Sequence, residues 1–346
     1  MDMKAERKNL VNPHRHKLQD VLPLVTPYDI DIDPCNVCNF KCKFCAMHSS
    51  GEVLNFKKQM MPLSLFKKIV DDIAEFPNQL KLSHIAGNGE PLLHPDFPEM
   101  ARYAKEKKIS ECIATITNGS RLNPELNRAL IDAGLDRIRI SVEAIDEEGY
   151  YEIAGVKIDL EEFISNIRDL HERSIQAGGR CEIYIKTVDA AVETPEKQER
   201  FYQLFEGVCD RIFIDHVIPL WSGWDGINNR FDIQNKGVHG QNLRVVQVCP
   251  YPFYSLLVSP DGIVTLCCAD WRRELVVGDL KKQSMMEIWN GEKLRTFWID
   301  MLSGNKNLYS MCAQCQLPMY DCVDHIDAYA EQLLPKFQKL GREAQP

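Results

Sequence analysis

Three cysteines near the start of the chain have the type and spacing of a metal-cluster site. Cys38, Cys42 and Cys45 stand in a C-x3-C-x2-C arrangement inside Asp33-Pro34-Cys35-Asn36-Val37-Cys38-Asn39-Phe40-Lys41-Cys42-Lys43-Phe44-Cys45. Three thiolates on one short loop can hold three irons of a [4Fe–4S] cluster. The fourth iron then has no protein ligand and stays open to a chelating molecule. With Cys35 added, the same thiols could instead close a tetrahedral zinc site. Spacing alone leaves both readings open. The protein has 13 cysteines. Its charged first residues contain no apolar signal segment, so a cytoplasmic chain with reduced thiols is expected. There, so many cysteines point to metal or catalysis before disulfides.

A second group lies toward the other end. Cys249 and Cys267 bracket a candidate β-hairpin, Ser255–Ser259 and Ile263–Cys267, turned at Pro260-Asp261-Gly262. Cys312-Ala313-Gln314-Cys315 follows. Four thiolates from a hairpin and a C-x2-C loop could close a fully ligated [4Fe–4S] cluster or hold structural zinc. Ligand type does not separate the two. Cys268 and Cys322 are spare thiols, or one of them a hydrogen-atom donor. Cys112, Cys181 and Cys209 sit in or beside apolar runs and read as small buried hydrophobes.

The elements that must position these residues repeat. Short apolar runs at Tyr28–Asp33, Leu80–Ala86, Cys112–Thr117, Arg137–Glu143, Cys181–Thr187 and Arg211–Val217 alternate with amphipathic helical patterns. The helices fall at Leu63–Phe76, Phe97–Lys107, Pro124–Ala133, Leu160–Ala177 and Pro195–Val208. Leu65, Ile69 and Ile73 share one helix face, as do Phe163, Ile167 and Leu170. Strand–helix repetition implies parallel strands joined by right-handed crossovers. The expected fold is α/β: a partial (β/α)6 TIM-like barrel over residues 28–240, after a lead-in at 1–27. A small C-terminal unit of hairpin and helix spans 241–323, and a terminal helix lies within 324–346. The Gly/Asn-rich stretch 221–240 reads as a linker or a loop over the barrel mouth. Barrel enzymes carry their chemistry at the C-terminal strand ends, and polar motifs fall there in order. They are the cysteine loop, Gly87-Asn88-Gly89-Glu90-Pro91, Thr117-Asn118-Gly119, Ser141-Val142-Glu143, Lys186, and Asp215 with His216.

The triplet spacing and this ordered set resemble the signature of the radical-SAM superfamily, whose cofactor is S-adenosylmethionine (SAM). The resemblance implies that the amino and carboxylate groups of SAM fill the open iron. It places Phe44 against the adenine. Gly87 to Pro91 is similar to the family's GGEP motif with Asn88 in place of a glycine. There Gly87 and Gly89 would let backbone approach the methionine moiety, and Glu90 would pair with its ammonium. Asn118, Ser141 and Glu143 are candidates for the ribose hydroxyls or the methionine carboxylate, and Lys186 is a further candidate. The C-terminal unit resembles the SPASM or shorter twitch appendage, with Gly278-Asp279-Leu280 and Glu287-Ile288-Trp289-Asn290-Gly291 in matching positions. A full SPASM unit carries seven cysteines. This chain departs from that count, which implies one auxiliary [4Fe–4S] cluster on Cys249, Cys267, Cys312 and Cys315.

The resemblance also implies reductive cleavage of SAM to a 5′-deoxyadenosyl radical, with flavodoxin or ferredoxin as electron donor. The expected reaction is oxidation of a carbohydrate- or aminocyclitol-like alcohol, the auxiliary cluster accepting an electron. Asp215, His216 and Arg230 are candidate bases. Modification of a peptide or protein, a redox-neutral epimerisation and a non-enzymatic metal scaffold are the other readings. Only about 27 residues precede the barrel, which leaves little room for a leader-binding domain of a peptide maturase. A net charge of -9 argues against nucleic acid as partner. No apolar run approaches the ~20 residues of a membrane span.

Overall fold

In the computed structural model, which describes residues 5–7, 15–49, 57–219 and 235–340, strict alternation builds two strands that matter most. Asp29-Ile30-Asp31-Ile32 and Arg137-Ile138-Arg139-Ile140-Ser141 bury every isoleucine in the surrounding core and turn every polar side chain the other way. In chain order the strands are β1 (Glu6–Arg7), β2 (Asp29–Ile32), β3 (Ser83–His84), β4 (Ile113–Thr117), β5 (Arg137–Ser141), β6 (Glu182–Val188), β7 (Arg211–Asp215), β8 (Ser255–Val258), β9 (Ile263–Thr265) and β10 (Val276–Asp279).

Strands β3 to β7 are parallel neighbours in sequence order. Strand β2 joins β3 through a parallel bridge from Asp29 to Leu82, and Tyr28 O accepts from Lys81 N–H at 2.8 Å. Six parallel strands, β2 to β7, thus form the curved inner layer expected of a partial barrel. The lead-in is more ordered than its sequence suggests: β1 adds to the far edge, parallel to β7. The second expected strand shrinks to Ser83–His84, because its continuation bends into the glycine-rich loop after it.

The covering helices start where capping side chains stop the preceding loop. Asn123 accepts from the Glu125 and Leu126 N–H groups, and Asp159 from Glu162 N–H. The helix Leu63–Ala74 buries Phe66, Ile69, Val70 and Ile73. Leu65 is only half-buried, beside Gly262 of the hairpin turn. Phe163, Ile167 and Leu170 are all buried, as their spacing predicts. A helix that the periodicity did not reveal, Glu147–Ala154, follows β5.

The C-terminal unit is welded to the barrel rather than tethered. Strand β8 pairs in parallel with β2, Asp29 opposite Ser255 through Ile32 opposite Val258. Antiparallel β9 and β10 continue that sheet outward. The hairpin turns at Gly262, whose φ of 80° is left-handed. Beyond it, Ser284 and Glu287 form a capping box for the helix Met285–Trp289. The helix Glu292–Leu302 follows. Trp289, Trp298, Phe253 and Phe337 make one aromatic core, with ring centroids 5.1 to 6.2 Å apart. Phe337 comes from the terminal helix Ala330–Lys339, which fastens that helix to the unit. Trp289 also donates to Leu24 O, tying the unit to the lead-in. Among the described residues, no helix is long and apolar enough to cross a membrane.

Candidate active site

The cysteine loop leaves β2 and is held from three sides. Asp33 is fully buried; its Oδ1 accepts from Cys35 N–H and its Oδ2 from Asn88 N–H, at 3.2 and 3.0 Å. Burial pushes this carboxyl up to about 6 against those two N–H groups. From the opposite side, Ala154 and Ile153 carbonyls accept from the Lys41 and Lys43 N–H groups, both at 2.9 Å. Phe40 packs edge-on against Tyr150 of the same helix. The third support is the glycine-rich loop after β3, where Val37 O accepts from Glu90 N–H at 2.9 Å.

The glycines of that loop have a reason the motif alone does not state. A Cβ on Gly89 would lie 2.0 Å from Cys35 O and 2.6 Å from Val37 O. A Cβ on Gly87 would lie 2.4 Å from Asp33 Cβ and Cγ. Both residues are small so that two loops can touch. Glu90 is buried, and its carboxylate accepts from Thr117 Oγ1 at 2.6 Å, Asn118 N–H at 2.7 Å and Leu92 N–H at 3.0 Å. Burial raises its pKa to about 7, more than these donors lower it. Asn118 Nδ2 donates to Asn39 Oδ1 at 3.0 Å and lies 3.9 Å from Cys38 Sγ, so the third strand end orients the first.

All three cysteines and Phe44 face one cavity of about 600 Å³. Gly87, Gly89, Glu90, Asn118, Ser141 and Glu143 line it from successive strand ends. Lys186 is not among its lining residues, although its charge acts on Glu143, whose carboxyl burial holds above the usual range. Burial likewise raises the thiols of Cys38, Cys42 and Cys45, Cys45 to about 11. One buried and two half-buried thiols beside two buried carboxylates form a site where the positive charge of iron ions would favour the thiolates. Cys35 is fully buried and hydrogen-bonded within its own loop to Val37 N–H and O, so the fourth zinc ligand considered above faces elsewhere.

The floor of the cavity holds residues that the motif reading missed. Asp29 and Asp31 of β2, His84 of β3 and Arg139 of β5 point into it, and Cys268 and Asp321 close it from the C-terminal unit. His84 Nδ1 lies 2.9 Å from Asp31 Oδ1. Arg139 Nε and Asp29 Oδ1 are buried without a hydrogen-bond partner. The D-I-D-I and R-I-R-I-S alternation carried the signal, since one face of each strand had to line an interior.

The candidate bases lie outside this lining. Asp215 is buried and accepts from His239 Nδ1 at 3.1 Å. His216 Nδ1 lies 2.7 Å from Asp189 Oδ2. Neither lines the cavity, and Arg230 falls outside the described residues.

Cys249, Cys267, Cys312 and Cys315 surround a second, small cavity walled by Pro252, Leu275, Met311 and Leu317. Cys322 is not part of it; its Sγ donates to Asp324 O. Cys181 and Cys209 are buried and Cys112 half-buried, away from both cavities. Among the described residues, the group with three ligand atoms mutually within 4.8 Å is Asp29, Asp31 and His84. Each thiol-lined cavity offers the all-sulfur donors that an iron–sulfur cluster uses.

Known proteins share this arrangement. Residues 32–186 match the Radical SAM superfamily, and residues 249–316 match the SPASM iron–sulfur cluster-binding domain. The tungsten-containing aldehyde ferredoxin oxidoreductase cofactor-modifying protein of Pyrococcus furiosus is 27% identical over 321 residues, 81% of this chain and 85% of that one. Streptococcus suis SuiB, solved bound to its precursor peptide SuiA, superposes with a TM-score of 0.61 at 14% identity, covering 91% of this chain and 75% of that one. BtrN, solved with AdoMet and 2-DOIA, gives 0.54 at 16% identity, over 83% and 92%. At such identities these structures speak for the fold alone. The two domain matches go further, and they coincide with the two thiol-lined cavities: the protein belongs to the radical SAM superfamily and carries a SPASM iron–sulfur domain.

Proposed function

We propose that this enzyme takes a hydrogen atom from a carbon in a small polar group of its substrate, held on the floor between Arg139, Asp29 and Cys268. The observation that carries this reading is the shared cavity. The cysteine triplet, the strand ends suited to SAM, and the charged residues Asp29 and Arg139 all line the same space. When bound, the first cluster and SAM supply a 5′-deoxyadenosyl radical. Cys38, Cys42 and Cys45 would hold that cluster, and Phe44, Gly87, Gly89, Glu90, Asn118, Ser141 and Glu143 would hold SAM. Cys249, Cys267, Cys312 and Cys315 would hold one auxiliary cluster, and a low-potential donor of the flavodoxin or ferredoxin class would supply electrons.

A cavity of this size suits one drug-sized ligand. SAM would take most of it, so only a side-chain-sized part of the substrate enters. A peptide or protein side chain presented from outside meets that limit, and the likeness to SuiB with its peptide supports it. The second reading, a carbohydrate-like alcohol, draws support from the fold shared with BtrN and from Arg139 and Asp29, a donor and an acceptor suited to hydroxyl groups. Oxidation of that alcohol would need a base, and Asp31 and Asp321 line the cavity where Asp215 and His216 do not.

Anaerobic reconstitution tests the reading. Iron and sulfide for two clusters, with 5′-deoxyadenosine formed from SAM, are expected. Zinc without 5′-deoxyadenosine would sink the enzymatic reading. Deuterated peptides and deuterated sugar alcohols then decide the substrate class by which one passes label to 5′-deoxyadenosine.

A further inference from the structure

Apart from its four thiols, the small cavity of the C-terminal unit is walled by proline, leucine and methionine side chains and by one charged residue, Lys306. Lys306 opens the short 3-10 turn Lys306–Leu308, which lies between the helix Glu292–Leu302 and the helix Ser310–Gln314 that carries Cys312. It is half-buried, and among the described residues no carboxylate pairs with its ammonium. Its charge reaches the thiols instead. Burial raises Cys312 and Cys315 above the ordinary cysteine range, and Lys306 pulls both down. Asp270 and Glu274 act on Cys312 in the opposite sense, but both are committed elsewhere. Asp270 is buried and accepts from the Glu274 and Leu275 N–H groups at 3.0 and 2.8 Å. Glu274 accepts from Ser310 Oγ and lies 3.7 Å from Arg272. A lysine commonly lays its stem on apolar surface and carries its charge out to water. Here two thiols of one site feel that charge.

We infer that Lys306 raises the reduction potential of the cluster held by Cys249, Cys267, Cys312 and Cys315, and so makes the C-terminal unit the electron-accepting end of the enzyme. Four thiolates leave a [4Fe–4S] centre with net negative charge, and reduction adds one more. An ammonium beside it favours the reduced state over the oxidised one, and apolar walls screen that attraction little. One electron enters the iron–sulfur core, and the lysine keeps its proton. In turnover that electron comes from the substrate radical, which releases one proton to solvent as it becomes a closed-shell, oxidised product. The inference rests on the two-cluster reading above and deepens it.

The test needs no substrate and no turnover. Reconstituted wild type, Lys306→Met, Lys306→Gln and Lys306→Arg are titrated anaerobically with reductant, and the reduced clusters are followed by electron paramagnetic resonance. SAM is added to a parallel sample, because it alters the signal of the cluster with the open iron and so separates the two. Met and Gln keep most of the stem and remove the charge. In both, the reduction equilibrium of the second cluster should become at least tenfold less favourable, a fall of about 59 mV for a one-electron couple. Arg keeps the charge and should stay within about twofold of the wild type. The potential of the first cluster should not move in any variant. Lys282→Met is the control, since Lys282 is exposed and pairs with Asp279 at 3.2 Å; it should leave both clusters unchanged.

An unchanged second potential in Lys306→Met and Lys306→Gln, at full iron content, overturns the proposal. So does a fall in Lys306→Arg equal to that in Lys306→Met, which would make the stem and not the charge responsible. Loss of the second cluster's iron from both neutral variants also overturns it, by assigning Lys306 to holding the site together. A wild type with one reducible cluster and zinc on the later cysteines refutes instead the two-cluster reading beneath it.

Discussion

Gly89→Ala should cripple the enzyme without removing a single polar group. The added Cβ would meet Cys35 O at 2.0 Å, Val37 O at 2.6 Å and Cys35 C at 2.8 Å. All three are backbone atoms, so no side chain can swing away. Reaching ordinary contact requires the two loops to part by roughly 1–1.5 Å. The bond from Glu90 N–H to Val37 O, now 2.9 Å, spans the same gap and would open with it. Glu90 would then leave the Thr117 and Asn118 donors that orient it, and Cys38 would move relative to the SAM-facing strand ends. A misplacement of about 1 Å at reacting groups costs on the order of 100-fold in rate. The assay is 5′-deoxyadenosine formation at saturating SAM, with iron content measured on the same sample. Gly207→Ala is the control, since nothing lies within 4 Å of a Cβ there. A Gly89→Ala rate within about twofold of wild type, at full iron content, would refute the claim that this contact sets the geometry.

Replacing Cys38, Cys42 or Cys45 with Ala should abolish SAM cleavage, whereas Cys312→Ala should retain it and lose product; product from Cys312→Ala would contradict a role for the second site in turnover. Glu90 must be ionised to pair with the SAM ammonium, and its pKa is raised by burial to about 7. SAM affinity measured by anaerobic dialysis should therefore fall as pH drops below about 7, by at most about tenfold per unit. A flat wild-type profile would argue against that pairing, and Glu90→Gln should be flat. His239 is raised above its ordinary value, chiefly by its hydrogen bond to Asp215. Its stabilisation is present in full below about pH 6.5 and is lost as pH rises through the raised folded value. Melting temperatures across that window should show this decline in the wild type and lack it in Asp215→Asn; identical slopes would refute the coupling.

Local chemistry was readable and long-range placement was not. The triplet of Cys38, Cys42 and Cys45 declares itself because its ligands sit within eight residues. The strand ends follow because each motif closes its own periodic unit. Gly87 and Gly89 were recognised, but their packing against Asp33, Cys35 and Val37 depends on β2 lying beside β3, which no local pattern states. The helix Glu147–Ala154 had its signals, an Asp146 cap and a closing Gly155 at φ 69°. It is too short for apolar periodicity to show. Asp215 and His216 occupy a strand end as expected, yet their partners, His239 and Asp189, come from distant segments. Arg139 and Asp29 are not legible as cavity residues from sequence, because a charged residue inside a strand reads as solvated until the strand is known to curve around a cavity.

A partial barrel has two free edges, and an uncapped edge strand invites pairing with another chain. Here β8 occupies the edge of β2 along its whole length. The segment bearing Cys249 and Cys267 is therefore part of the wall that keeps the barrel from self-association, not cargo hung upon it. Removing it to study SAM cleavage in isolation would bare that edge and yield aggregate rather than a simpler enzyme. The separation between the two thiol-lined cavities is likewise a matter of strand register. A hinge could vary it from moment to moment; four hydrogen-bonded residue pairs hold it constant once the chain has folded.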